Sequence, residues 1–402
     1  MERSDCDKTA LRTDPRGGRA PMIAVSVMGA NRGPSRSLIE IIRGEVSRRS
    51  VLAVVPPGYL AVELSKMDAC DVVVHDFSGR AASFAPLAKI VGGWMRANCD
   101  PESTGARPFL FTNGVGAALR AIPAAVVGRI ERVILHVHPS RLSRREVVQM
   151  RMVQQIPGVT VQIAAVSPFV IGLLSGAGVC PASEIALLPN LVSAEYLDAG
   201  RRNLLGRVEL AKAPSRVLYV GTGSYRKGFD VGIKMLTGIA DEYSIATVQI
   251  AGFDPYRSLS LGDGRDGAVV VAGLRDLAAR TDVQLLGRKD DLLEDYLAAD
   301  IMVVPSRMES FGRVALEGAA AGVPLVCSSN PGHMAFLAAD SAFIFTAGDA
   351  VSGLEALRRA VGDHEERRRR SERALIAAER YGWQVWSDAI ASVFDPPSSF
   401  VR

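Results

Sequence analysis

The sequence predicts an α/β protein of two Rossmann-like halves, each a doubly wound parallel sheet, and three observations carry that prediction. Short β-branched runs alternate with helix-period stretches along most of the chain, and strands taking turns with helices imply parallel sheets with right-handed crossovers. At 402 residues the chain is too long for one ordinary core and suggests two or three domains of roughly 150 residues each. Residues 300–332 form a complete βαβ unit: Ile301–Val304 is an apolar strand, Pro305 stops it, helix formers begin near Gly312, and residues 323–327 are a second buried strand.

Composition sets the class. Apolar residues are 48% and charged residues 22% of the chain, a soluble globular balance, and no apolar run reaches the roughly 18 residues of a membrane span. Residues 1–20 are polar, contain Gly and Pro and mix charges, so they lack the apolar core of a secretory signal and read as a disordered lead-in. Five cysteines (Cys6, Cys70, Cys99, Cys180, Cys327) make no C-x-x-C pair, which argues against a disulfide framework or structural zinc and for a reducing, cytoplasmic compartment. A net charge of +4 is modest for this size, and no nucleic-acid partner is expected.

In the first half, residues 22–28 form a strand and Gly29-Ala30-Asn31-Arg32-Gly33-Pro34-Ser35 a loop, with a helix over residues 36–49. A glycine-rich strand-to-helix turn lets backbone approach a ligand. The spacing is not G-x-G-x-x-G, so a dinucleotide fingerprint is unsupported, and a plain tight turn is the alternative. Strands follow at 51–55, 71–74, 109–111 and 132–137. The last carries His136 and leads to His138, one residue apart on the same face of an extended chain. Ligands of open α/β sheets bind at the carboxyl ends of strands, so His138 is placed to reach one, whereas His136 reads as a packed strand residue. Just beyond, Arg141, Arg144 and Arg145 share a helical face beside Leu142, Val147 and Val148. This reads as a solvated face, with attraction to anionic lipid headgroups as the alternative. A strand at 160–167, a helix through about 174 and residues 185–188 lead into Pro189-Asn190. Residues 191–215, charged and aperiodic, read as the boundary, with the switch near 200.

The second half opens with a strand from 216 that ends at Gly221. Its loop holds Thr222 and the adjacent cations Arg226 and Lys227, and a helix starts near Asp230. Cations at such a turn can stabilise negative charge as it develops on a leaving group. Residues 247–251 are a strand, and the Gly/Asp-rich stretch 262–267 lacks the EF-hand ligand spacing and reads as a loop. The strand at 283–287 ends in Gly287 and Arg288, and residues 290–299 are helical. In the βαβ unit, Glu309 falls in the loop and Glu317 in the helix. The amides of Ser310, Phe311 and Gly312 lie at a helix start, where N–H groups lack intrahelical partners and the dipole is positive, which suits a diphosphate. Carboxylates accept hydrogen bonds from hydroxyls, so a ligand with both, a nucleotide sugar, fits. An acid that merely complements the dipole is the alternative. Asn330-Pro331-Gly332-His333 is a turn at another strand's carboxyl end. Residues 365–380, including Arg367 to Arg370, read as a solvated helix, and Trp383, Trp386, Ile390 and Val393 as a core-facing stripe.

Glu309-x7-Glu317, with Phe311-Gly312 inside it and a small-residue helix after it, resembles the donor-binding motif of the family 4 retaining glycosyltransferases (glycosyl transferases group 1), which have the GT-B fold. The stretch from Gly221 to Lys227-Gly228 resembles the family's Gly-Arg … Lys-Gly element. Lys227 matches the family lysine, but the arginine that follows the first glycine is replaced by Thr222, which leaves Arg226 as the candidate substitute. The resemblance covers residues 22–190 and 216–332. It implies a lead-in at 1–20, an acceptor-side domain at 21–200, a donor domain at 201–382 and a C-terminal helix and tail at 383–402, the two Rossmann-like domains facing across a cleft. It implies His138, Lys227 and Glu309 as catalytic residues. The donor would be bound by Gly221, Thr222, Arg226, Lys227, Gly287, Arg288, Glu309, Ser310, Phe311, Gly312 and Glu317, with Glu309 holding the sugar, Glu317 the ribose, and Gly287 and Arg288 passing over the base. Gly29, Asn31, Arg32 and Gly33 would face the acceptor.

With no Asp-x-Asp in a loop that resembles a divalent-metal diphosphate site, neither a metal nor another cofactor is expected. The implied reaction moves a hexose, with retention, from a nucleotide diphosphate sugar to a hydroxyl acceptor in cell-envelope polysaccharide or glycolipid synthesis. The acceptor is expected to be lipid-linked, with peripheral contact at the inner face of the membrane. Two alternatives stand beside it: a nucleotide-sugar-binding protein of the same fold without transferase activity, for which Thr222 argues, and a nucleotide-sugar 2-epimerase.

Overall fold

The computed structural model describes residues 19–30, 33–77, 84–99, 107–207, 214–253 and 267–395. Most of the lead-in, loop residues Asn31 and Arg32, and most of the Gly/Asp-rich stretch lie outside them. The chain forms two compact units: one runs to Leu188 and is rejoined from Ile390 onward, and the other is Pro189–Ala389.

The first unit is built on β1 (Met22–Val25), β2 (Val51–Val55), β3 (Cys70–Val74), β4 (Phe109–Asn113), β5 (Arg132–Val137), β6 (Thr160–Ala165) and β7 (Ala186–Leu187). They pair in the order β3-β2-β1-β4-β5-β6-β7, all parallel. β1, β2 and β4 are buried along their whole length, which is why they read as unbroken apolar runs rather than alternating ones. The order reverses between β1 and β4, the switch point where the loops of a doubly wound sheet diverge and leave room for a ligand.

The second unit repeats the plan with β8 (Arg216–Val220), β9 (Thr247–Ala251), β10 (Asp282–Gly287), β11 (Ile301–Val304), β12 (Leu325–Ser328) and β13 (Phe343–Phe345), ordered β10-β9-β8-β11-β12-β13. Its core joins Val217, Ile250, Val303 and Val326 from the sheet to Phe229, Met235, Leu236 and Leu357 from the helices above it. Each such side chain contributes roughly 1.5–3 kcal/mol on burial. Its switch point lies between β8 and β11, so the loops after these neighbouring strands emerge side by side. Those loops carry Arg226, Lys227 and Glu309.

Several elements differ from expectation. β1 stops at Val25 rather than 28, because the Ser26 hydroxyl accepts from the Met28 amide (3.2 Å) and turns the chain. The stretch expected as an aperiodic boundary contains the helix Ala194–Arg207. It packs partly through close backbone approach: a Cβ on Gly200 would sit 1.9 Å from the Ala320 carbonyl oxygen, and Asn203 donates to the Ala321 carbonyl (2.9 Å). Buried Leu197 and Ala199 add a short apolar contact, a weak signal among the charged residues around it. The change of unit accordingly comes at Leu188/Pro189 rather than at the expected residue 200, and the helix Trp383–Phe394 runs from the second unit into the first rather than forming a separate tail. In the helix His364–Glu379, Arg368 pairs with Glu365 and Glu372 on its own helix, as a solvated face should, while Arg370 pairs with Glu366 and also donates to the Ala339 and Ala342 carbonyls (both 2.6 Å). Arg367 does not: it is buried and donates to the Ala360 and Val361 carbonyls (both 2.7 Å), capping the end of the preceding helix, Ala350–Gly362.

Cys70, Cys99, Cys180 and Cys327 are free thiols, and burial pushes Cys70 up to about 12 and Cys99 to about 11. Among the described residues no helix is long and apolar enough to cross a membrane.

Candidate active site

The loop after β8 is shaped by what lies beneath it. Tyr219, almost wholly buried, donates its hydroxyl to the Thr222 carbonyl (3.1 Å), and burial pushes the phenol well above its ordinary range. The Thr222 hydroxyl bonds that of Ser224 (3.0 Å), and Ser224 caps the short turn Tyr225–Lys227. Gly228 then takes φ +64°, and a Cβ there would lie 1.9 Å from the Pro305 carbonyl oxygen, so only glycine lets this loop rest on the one after β11. Arg307 completes the fastening. Its amide donates to the Arg226 carbonyl (2.9 Å), its guanidinium grips Asp230 with two bonds of 2.6 and 2.7 Å, and it lies 3.7 Å over the Tyr225 ring.

The result is a cation pair set on a buried carboxylate. Lys227 Nζ is 2.5 Å from Glu309 Oε1, and Arg226 Nη1 is 3.4 Å from Oε2 and 3.3 Å from the Met308 carbonyl. Glu309 is only 9% exposed. Burial on its own would raise its carboxyl, but Lys227 and then Arg226 outweigh that and hold it at about 2. Glu309 is therefore ionised throughout the physiological range and acts as an acceptor only.

The helix after this loop is Arg313–Ala320, entered through Gly312 at φ +94°. Its first internal bond runs from the Leu316 amide to the Gly312 carbonyl, so the amides its start leaves without an intrahelical partner are those of Arg313, Val314 and Ala315, with Gly312 at the cap. Of the three amides expected there, Ser310 and Phe311 belong to the approach instead. The Phe311 side chain is an anchor: it stacks on Phe336 at 5.6 Å and meets Tyr381 edge-on at 5.2 Å.

A floor lies under this loop. Asn330 accepts from the Gly332 and His333 amides (3.0 and 3.1 Å) and donates to the Ser306 carbonyl (3.0 Å). A Cβ on Gly332 would sit 2.6 Å from the Glu309 carbonyl oxygen, and one on Gly312 would sit 2.6 Å from His333 Cδ2. His333 is fully buried, its Nδ1 lies 2.9 Å from both the Ser328 carbonyl and Asn330 Nδ2, and Nε2 has no hydrogen-bond partner among the described residues. Burial lowers its pKa, opposed by the nearby Glu309.

Glu317, 4% exposed, accepts from Tyr296 Oη (3.2 Å) and from Arg313 Nη2 (2.9 Å), and Arg313 reaches back to the Leu191 carbonyl (3.3 Å). Its two oxygens are thus each oriented by a side chain of the protein. Gly287, at φ +61°, and the exposed Arg288 stand at the same end of the sheet, after the edge strand β10. The Gly287 carbonyl accepts from the Gly252 amide (2.6 Å).

The first unit holds a separate polar group at its own switch point. His138, half-buried, has Nε2 3.0 Å from Asn113 Oδ1, and Asn113 Nδ2 donates to the Pro34 carbonyl (3.0 Å). His136 is fully buried and donates from Nε2 to the Leu188 carbonyl (2.9 Å), and burial lowers its pKa to about 4. It is the packed strand residue that its alternation implies. Gly29 sits where a Cβ would be 2.6 Å from the Pro57 carbonyl oxygen, and Gly33 begins the helix Gly33–Glu45.

Chemically, the second unit brings an ionised acceptor and two cations into contact beside a helix start. Such a set has the donors and acceptors that hydroxyls and a phosphate require.

Residues 201–375 match the family described as "Glycosyl transferases group 1". The likeness to group 1 glycosyltransferases lies in this part of the chain. Among curated relatives, the glycogen synthase of Mycobacterium tuberculosis is 31% identical over 218 residues, covering 53% of this chain and 48% of that protein. The sulfoquinovosyl transferase SQD2 of Arabidopsis thaliana is 26% identical over 217 residues, covering 53% of this chain and 40% of that protein. The chain thus spans about half or less of these relatives' length. Of solved structures, Anabaena Alr3699/HepE in complex with UDP and glucose superposes with a TM-score of 0.71 over 92% of this chain and 98% of that one, at 18% identity. A likeness at that identity shows the fold, which is GT-B: two Rossmann-like domains.

Site residues that the sequence reading overlooked are Asn113, Tyr296, Arg307 with Asp230, and Arg313. Arg313 had a readable signal, four residues before Glu317 on one helix, and Asn113 had one as the polar end of an apolar strand. Tyr296 and the Arg307–Asp230 pair join segments distant in sequence, and no local pattern announces them.

Proposed function

We propose that this protein is a retaining glycosyltransferase that moves a hexose from a nucleotide diphosphate sugar to a hydroxyl acceptor. The observation that carries the reading is the placement of Lys227 and Arg226 on the ionised Glu309 beside the start of the helix that bears Glu317. In this reading the diphosphate competes with Glu309 for the two cations, so donor binding replaces an internal ion pair with an external one. Glu309, released from Lys227, accepts hydrogen bonds from the sugar and orients it rather than attacking it. Glu317, already aimed by Arg313 and Tyr296, accepts from the ribose hydroxyls. As the glycosidic bond breaks, charge grows on the departing diphosphate, and Lys227, Arg226 and the amides at the helix start stabilise it without a metal. Arg226 takes the part of the arginine missing at Thr222.

The uracil nucleotide is the first candidate, supported by the UDP that the HepE structure holds. His138 belongs to turnover rather than to donor affinity. A lipid-linked acceptor in envelope polysaccharide or glycolipid synthesis is supported by the exposed Arg141, Arg144 and Arg145 after His138, which would draw the chain to an anionic membrane surface. A cytoplasmic setting is supported by the free cysteines.

The test is a thermal-shift series with UDP-, GDP- and ADP-sugars, with and without EDTA, since a ligand that binds only the native state raises its midpoint. An EDTA-insensitive shift with one nucleotide class, lost in Glu317→Ala, followed by release of nucleoside diphosphate only when an acceptor is added, is the expected result. Donor conversion without an acceptor would identify an epimerase instead. Binding with no turnover under any acceptor would leave a nucleotide-sugar-binding protein, the outcome Thr222 favours. No shift with any nucleotide would end the donor-site reading.

A further inference from the structure

We infer that Asn113 is a positioning residue that fixes His138 as its Nε2–H tautomer. The argument starts from what each atom can do. The Pro34 carbonyl oxygen only accepts, so the Asn113 atom 3.0 Å from it is the amide nitrogen, and the atom left to face His138 is the amide oxygen, again at 3.0 Å. That oxygen only accepts as well, so His138 Nε2 must carry the proton. A neutral imidazole has one N–H, and Nδ1 is therefore the acceptor nitrogen of His138.

The arrangement is rigid at both ends. Asn113 is the last residue of β4, 1% exposed, and its neighbour Gly114 donates its amide to the His136 carbonyl (2.8 Å) on β5. His136, with its own ring at 4.2 Å from that of His138 and its Nε2–H spent on the Leu188 carbonyl, braces the other side. Through Pro34, the same amide joins His138 to the turn after β1. One side chain therefore sets both the tautomer of the histidine and its distance from the glycine-rich loop. The inference rests on the proposed role of His138 only for its effect on turnover. The tautomer itself stands apart from it.

The experiment is to record the ring-nitrogen signals of ¹⁵N-histidine protein on the alkaline side of the His138 titration, assigned by comparison with His138→Gln. The expected pattern is a protonated Nε2 and a bare Nδ1 in the native protein, kept in Asn113→Asp, which retains an acceptor oxygen, and lost to a mixture in Asn113→Ala. In turnover assays Asn113→Ala should lower kcat ~10- to 100-fold, the scale of a misplaced catalytic group, with the KM for donor unchanged, and Asn113→Asp should recover part of that. A native protein with the proton on Nδ1, or an alanine variant with an unchanged tautomer, would overturn the inference. An unaltered nucleotide-induced thermal shift in both variants shows that the second unit is folded, and the tautomer is read without any need for transferase activity.

Discussion

At the scale of single residues, the site's behaviour turns on one carboxylate held against two cations. Glu309 has a folded-state pKa of about 2 against an ordinary 4.5. A depressed carboxyl contributes stability that is fully present above about 4.5 and is lost as the pH falls toward 2. The difference in melting midpoint between the native protein and Glu309→Gln should therefore be constant above about pH 5 and shrink steadily below 4.5. A gap that stays constant down to pH 2 would mean that the ion pair is not formed in solution. Lys227→Met should be the more damaging change. It leaves a buried carboxylate with only the longer, 3.4 Å contact to Arg226, and breaking a buried pair costs 3–5 kcal/mol, here reduced by Arg226 to about 2 kcal/mol. It should also lower kcat by about 10²-fold, the usual loss when a group that stabilises developing charge is removed. Activity within threefold of native would remove Lys227 from the mechanism. Much of this cluster was legible beforehand, because Lys227 and Glu309 stand in loops that follow strand ends and Glu317 lies in the helix that the second loop enters. What the sequence did not disclose is that Glu309 and Lys227 hold each other, since the two residues are 82 positions apart and no spacing rule connects them.

At the scale of elements, two left-handed glycines in the second unit make a controlled comparison. Gly228 (φ +64°) lies against Pro305, where a Cβ would be 1.9 Å from a carbonyl oxygen, whereas Gly287 (φ +61°) has nothing within 4 Å of that position. Alanine at Gly287 should cost only the left-handed conformation, about 1 kcal/mol. Alanine at Gly228 must also push the loops after β8 and β11 apart, and should cost about 3 kcal/mol and weaken nucleotide binding as Lys227 is carried away from Glu309. Equal urea midpoints for the two variants would show that the loop contact is not closed in solution. The same contrast explains what could be read of the fold. β2, β4, β8 and β11 are buried on both faces and announce themselves as apolar runs. The helix Ala194–Arg207 does not, because much of its contact is made by Gly200 and Asn203 against backbone and its buried apolar residues, Leu197 and Ala199, are few among charged ones. Arg367 looked like part of a solvated tract because charge patterning reports which residues carry charge and is silent on which carbonyls lie within their reach.

At the scale of the whole molecule, the chain leaves the first unit at Leu188 and returns to it at Ile390, so that unit is completed by residues far away in sequence. The return is specific. Phe394 stacks on Phe109 at 5.7 Å and meets Phe111 at 6.0 Å. Arg132 donates to the Val393 and Phe394 carbonyls. The fully buried Arg49 binds Glu45 and also grips both oxygens of Asp395 at 3.0 and 2.9 Å, while lying over the Phe109 and Phe394 rings. Removing everything after Ala389 strips these partners from the first unit and none from the cluster around Glu309. Loss of the buried Phe394 alone costs about 3–5 kcal/mol, and at 2–4 °C per kcal/mol for a unit of this size the first unit should melt roughly 10 °C lower. The second unit, with its fold and its carboxylate intact, should keep its nucleotide-induced shift. Calorimetry of the truncated chain should then show two transitions, with only the upper one responding to the nucleotide. A single transition that UDP still raises as a whole would mean that the two units unfold as one, and that the return of the chain is not what secures the first.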